Sequence, residues 1–283
     1  MSDSTTTPAP RAVSNAVRIG AEPNRVTRSV ILTVIGLVFL VPIIAMIEFT
    51  FRDGLGGGYT LSHWVELFNP GNARTYRSLG TAITNSLVLA VVTVGIVLVL
   101  LLPTMILVHL QFPRLRRVLE FICIAPITVP AIVLVVGLAP VYGVIVSLVG
   151  GSIWTLAFAY GITVLPYAYR AIQSNLDAVD VATLSEAART LSAGWLVIVV
   201  RVLLPNLRRG VLAAAFISVA VVLGEFTIAS LLNRVNLQTA LLQISQSDPY
   251  VAVILALLSL ALAFVLLLII GRLGTPGRNR STP

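Results

Sequence analysis

The sequence has 283 residues, 57% of them hydrophobic and only 11% charged, with a net charge of +8. A soluble domain carries roughly 25% charged residues, so the deficit excludes a soluble enzyme, a disordered chain and a disulfide scaffold. Phe121 to Tyr169 contains no Asp, Glu, Arg or Lys, and a water-facing fold cannot cover its surface with such a stretch. The composition is that of an all-α, polytopic helical membrane protein.

The first 28 residues are rich in Ser, Thr and Pro and carry Arg11, Arg18, Arg25 and Arg28. They read as a disordered cytoplasmic tail. They are not a secretory signal, because the apolar run that follows is too long. Spans are expected at about 29–49, 83–108, 118–141, 152–170, 210–232 and 250–271, near the ~20 residues that cross a bilayer core. A polar stretch with the turn Gly56-Gly57-Gly58 separates the first two. The uncharged block 121–169 is too long for one helix, and Gly143 and Gly150-Gly151 are the expected break. Pro126, Pro130, Pro140 and Pro166 are expected to kink their spans, with neighbouring helices satisfying the freed carbonyls. A cytoplasmic loop, 171–209, follows the fourth span. The membrane domain is expected over 29–272, and 273–283 are expected to form a second cytoplasmic tail.

All nineteen basic residues are arginines. Fifteen fall in the two tails, the loop after span two and the segment after span four; the other side holds Arg52, Arg74, Arg77 and Arg234. Positive residues are retained in the cytoplasm, so both termini are expected inside. The arginines lie between apolar runs rather than in a patch with aromatics, so a nucleic-acid partner is not indicated. There is no phosphate-binding loop, HExxH or GxSxG. Cys123 is the one cysteine, and His63 and His109 are far apart; neither a catalytic residue nor a metal site is expected. Energised work would need an ion gradient or a partner.

The segment after span four carries the most information. Val181, Leu184, Ala188 and Leu191 recur at helical spacing, which predicts a short amphipathic helix. Thr183 and Glu186 have capping-box spacing, and Asp180 is an equally good start. Gly194 is expected to break the helix, and a second apolar stretch, Trp195 to Leu204, leads to Pro205.

Here the chain resembles the membrane subunits of binding-protein-dependent ABC importers. Their loop signature is Glu-Ala-Ala, a glycine, then Ile-x-Leu-Pro. Glu186, Ala187 and Ala188 match, as do Leu204 and Pro205 at the right spacing. Val202 replaces the isoleucine; Ser192 stands where the glycine belongs, with Gly194 two residues later. The resemblance runs over roughly 80–272 and includes Asn85-Ser86.

It implies a type I importer permease with six spans, in the cell membrane of a prokaryote. The loop would be a coupling helix docked on a cytoplasmic ABC ATPase dimer. Glu186 would touch the ATPase, with Arg189 beside it, and ATP and Mg would be held there and not by this chain. A second permease, identical or homologous, would pair across a central pathway. An extracytoplasmic solute-binding protein would dock near 50–80 and 233–249.

Glu225, in Gly224-Glu225-Phe226-Thr227, is the one carboxylate expected well inside a span, and an intramembrane acid is a functional candidate by default. Asn85 could add a second polar group to the route. The chain looks most similar to the polyamine-importer branch, and a carboxylate suits a spermidine- or putrescine-type polycation. Iron, sulfate and phosphonate importers share the fold. A channel or ion-coupled secondary transporter is the alternative class, although several ionisable groups at mid-membrane would then be expected.

Overall fold

The computed structural model describes residues 24–54, 56–69 and 77–274; most of both expected tails, and Arg74, lie outside them. Two compact units divide between Met46 and Ile47. The first holds most of α1 (Arg25–Phe49), none of whose residues is buried. Such a helix, apolar all round, suits lipid or a partner helix.

The second unit begins with a tight turn in which Arg52 and Tyr59 form an isolated bridge, with Gly57 at φ 75° supplying the left-handed conformation. The helices that follow are α2 (Ser62–Leu67), α3 (Arg77–Gln111), α4 (Arg116–Thr128), α5 (Ala131–Val149) and α6 (Ala157–Ala178). Then come α7 (Val181–Thr190), α8 (Trp195–Val197), α9 (Leu204–Gly224), α10 (Thr227–Leu231), α11 (Leu237–Ser247) and α12 (Pro249–Gly274). Beyond that bridge, the described residues contain no β structure.

Five helices among the described residues are long and apolar enough to cross a membrane: Arg25–Phe49, Ser78–Gln111, Ala131–Val149, Trp195–Gly224 and Pro249–Ile269. With α6, whose 22 residues reach ~33 Å, the number is the expected six. Helix α6 falls short of the others in hydropathy because it sits at the centre of the bundle. It packs on α3, α4 and α9, buries Tyr160, Val164, Tyr169, Ile172 and Leu176, and exposes little to lipid.

Several boundaries differ from expectation. The third span, expected at 118–141, is two helices. Val129 is extended (φ −98°, ψ 126°) and Pro130 caps α5, because a residue before proline is pushed out of the helical region. Gly143 is not a break; it lies inside α5, and the chain turns at Gly150, φ 90°. Pro126, Pro140 and Pro166 lie inside α4, α5 and α6 without ending them. The fourth span does not stop at 170. Helix α6 runs on to Ala178, because Arg170 and Asp177 form one of its faces rather than its end. Arg116 Nη2 donates to Asp177 Oδ1 at 2.8 Å and Arg170 Nη1 lies 3.4 Å from Glu120 Oε1, lashing α4 antiparallel to α6. The fifth span starts before 210 and ends at Gly224, not 232. The expected outer loop 233–249 contains a helix, α11.

Helix α6 packs most extensively on α9. Small residues let helices in a membrane approach, and Gly210 is one: a Cβ there would lie 2.5 Å from Asn175 Cβ and 3.2 Å from the Ala171 carbonyl oxygen. Gly137, by contrast, has nothing within 4 Å of its Cβ position. Gly210→Ala is therefore expected to destabilise the protein by about 1–3 kcal/mol. It should lower the thermal midpoint in detergent, while Gly137→Ala leaves it unchanged or higher.

Candidate functional site: coupling segment and outer polar knot

Helix α7 starts at Asp180, not at Thr183. Asp180 Oδ1 accepts the Thr183 N–H at 3.1 Å and Oδ2 accepts the Thr183 hydroxyl at 2.7 Å. These bonds, the hydroxyl first, hold the Asp180 carboxyl below its ordinary value. The charged cap therefore persists above the ordinary value and is lost only as pH falls through the lower folded one. One face of α7, Val181, Ser185 and Ala188, is buried. It packs on Ile198, Val199 and Leu203. Leu191, expected on that face, is 83% exposed, because α7 has already ended.

The ending explains the motif's glycine position. Ala193 N–H donates to Ala188 O at 3.2 Å and Ser192 N–H to Arg189 O at 2.9 Å. These are the paired bonds of a Schellman turn, whose penultimate residue must be left-handed. Ser192 fills that place at φ 59°, a conformation that costs a side-chain-bearing residue about 1–2 kcal/mol. Gly194 does not break α7. It is extended (φ −72°, ψ 162°) and caps the next helix, its carbonyl accepting from Ile198 N–H.

From there the chain is helical through to Gly224, passing a π-helical segment, Ile198–Leu203. Pro205 has no N–H to give the carbonyl four residues back, and a wide turn accommodates the loss; Asn206 Nδ2 donates to the neighbouring Val202 carbonyl at 2.7 Å. Leu204 and Pro205 thus open α9, while Glu186, Ala187 and Arg189 are exposed on α7. Among the described residues Glu186 has no hydrogen-bond or ion-pair partner, so an internal pair with Arg189 does not form.

Glu225 and Asn85 lie elsewhere. Glu225 is not within a helix; it follows α9, half-buried and extended, and its Oε1 accepts the Ile228 N–H at 2.9 Å, capping α10. Asn236, only 1% exposed, donates from Nδ2 to the Glu225 carbonyl at 2.7 Å and to the Tyr160 hydroxyl oxygen at 3.1 Å. Its Oδ1 accepts from Thr239 N–H, and Thr239 Oγ1 from Asn236 N–H, closing a capping box on α11. Gln238 Nε2 donates to Leu223 O, Asn85 Nδ2 to Val235 O, and Leu237 N–H to Ser86 Oγ. Asn85 and Glu225 are thus joined through one loop, residues 233–237. Sequence reasoning missed Asn236, Gln238, Tyr160 and Arg234; the Asn-x-x-Thr capping pattern before Ala240 was a usable signal for the first.

Six long helices among the described residues, with an amphipathic bend inserted before the fifth, define a polytopic helical membrane protein. Residues 106–275 match the pattern of the binding-protein-dependent transport system inner membrane component family, more than half of the chain. The protein belongs to that family, and is a multi-pass membrane protein. It is also 25% identical over 263 residues, 87% of this chain, to a probable ABC transporter permease protein, y4fN, of Sinorhizobium fredii (strain NBRC 101917 / NGR234). The chain spans 45% of that relative's length.

Ser192→Gly should remove the left-handed penalty, stabilising the protein by about 1 kcal/mol. The midpoint of thermal unfolding in detergent is expected to rise, and the bend should keep its shape.

Proposed function

We propose that this chain is the membrane-spanning permease subunit of an ATP-driven importer that translocates a small solute delivered by a solute-binding protein. The observation that carries the reading is α7: a short helix locked to the root of α9 on one face, with the unpaired Glu186 carboxylate on the other. A rigid element offering a free acid suits a lever moved by a separate protein. The chain carries no nucleotide-binding motif of its own. The partners in this reading are an ABC ATPase dimer that holds ATP and Mg, a second permease, and a solute-binding protein on the outer face. Both termini are cytoplasmic, in a prokaryotic cell membrane. An ion-coupled transporter is the competing reading, and it has no set of mid-membrane ionisable groups behind it.

For the solute, Glu225 supports a polyamine of the spermidine or putrescine type. One of its oxygens caps α10, and the other is left for a cation. Iron, sulfate and phosphonate are the alternatives within the same architecture.

Two variants test these roles. Glu186→Ala in the reconstituted complex is expected to lower solute-stimulated ATP hydrolysis about tenfold, the factor that corresponds to 1.4 kcal/mol of lost docking energy. Unchanged stimulation excludes the docking role. Glu225→Gln keeps an oxygen for the Ile228 N–H, so the fold survives. Uptake of radiolabelled spermidine or putrescine is expected to fall about tenfold, with complex assembly intact, and unchanged uptake removes Glu225 from the route.

A further inference from the structure

The loop that joins Asn85 to Glu225 also carries Arg234. Helix α10 ends in a second Schellman turn: Arg234 N–H donates to Ala229 O at 2.8 Å and Asn233 N–H to Ser230 O at 3.2 Å. Asn233 takes the left-handed place at φ 52°. The turn delivers the Arg234 side chain to the α5–α6 junction. There Nη1 donates to the Gly151 carbonyl at 2.7 Å, and the guanidinium carbon stands 5.7 Å from the Tyr142 ring centroid. The approach is close at Gly151: a Cβ there would lie 3.0 Å from Nη2 and push the guanidinium back by a few tenths of an ångström.

That geometry uses one of five guanidinium N–H groups. Nε is buried without an acceptor, and among the described residues no carboxylate pairs with Arg234. A neutral amide would serve as well for one bond to a carbonyl, so fastening Gly151 does not account for the charge. Arg234 also lines a cleft of about 260 Å³. The same cleft is lined by Ser230, Asn233, Thr239, Gln243 and Gln246 and, among the described residues, by no acidic one. The Thr239 hydroxyl is taken by its capping box. The hydroxyl of Ser230 and the amides of Asn233, Gln243 and Gln246 have no partner within the protein among the described residues. A half-buried cation on a cleft whose other polar lining is unspent neutral donors, with no counter-charge among the described residues, is the chemistry of an anion site.

We propose that this cleft binds an oxyanion, a carboxylate or sulfate-like group, held by the Arg234 guanidinium with amide and hydroxyl donors around it. The group reaches the cleft either on the transported solute or on an acidic side chain of the solute-binding protein. The assignment rests on the permease reading for where the cleft faces, but not for its chemistry.

The test uses the full chain with its cognate ATPase and second permease in nanodiscs. Sodium sulfate and sodium acetate are compared with chloride at matched ionic strength. Arg234→Gln removes the charge. Gln243→Glu leaves the Gly151 bond untouched and places a competing carboxylate in the cleft, which guards against a fold defect in the first variant. If the oxyanion is on the solute, sulfate or acetate raises the wild-type thermal midpoint by several degrees and does so in neither variant. If it is on the binding protein, the midpoints do not respond, and both variants weaken association of the binding protein at least tenfold. No difference between wild type and Gln243→Glu in either arm overturns the site. ATP-dependent uptake by the wild-type complex is measured alongside, so an inactive transporter and a missing anion site give different results.

Discussion

Backbone carbonyls released at a helix end have no water to turn to inside a bilayer, and each must find a donor within the protein. The break after Gly224 raises this problem at its sharpest. Leu223 and Glu225 carbonyls lose their helical partners, and amides from the start of α11 replace them: Gln238 for the first, Asn236 for the second. Asn236 is buried and engaged by both its amide nitrogen and its oxygen, so the loop has one conformation available to it. From α3, Asn85 and Ser86 hold the same loop from the other side. The ends of α3, α6, α9 and α11 are thereby tied at a single place.

At the opposite end of α9 the chain is helical without a break from Trp195 to Gly224, and α7 is fastened to its root by apolar contact. The small side chain of Ala188 permits that approach, and Leu203 and Ile198 fill the facing side. The π-helical turn ahead of Pro205 keeps the rod continuous where a proline would otherwise interrupt it.

Charge separates the two ends. On the α4–α6 face, Arg116 and Arg170 each have a carboxylate. Exposed pairs of that kind add little stability, and their use is in fixing the angle at which α4 leaves the loop after α3. Arg234 has no such partner. One oxygen of Glu225, the acid that drew attention in the sequence, caps α10; Arg234, further along the same loop, is placed by a turn, a glycine and a tyrosine ring drawn from three separate elements.

The membrane class, the rough positions of the crossings and the amphipathic bend were all legible in the chain, because hydropathy and helical periodicity act over consecutive residues. Glu186, Ala188, Leu204 and Pro205 stand out in the chain because their pattern lies in spacing along one segment. Helix ends were read less well: Arg170 and Asp177 resembled a boundary and are a paired face, and Leu191 had the right spacing on a helix that had already stopped at a left-handed Ser192. The contacts of Glu225, Asn85 and Arg234 are to partners 11, 150 and 83 residues distant. Side chains so far apart in sequence meet only when the bundle closes, and no local pattern records which carbonyl each one will find.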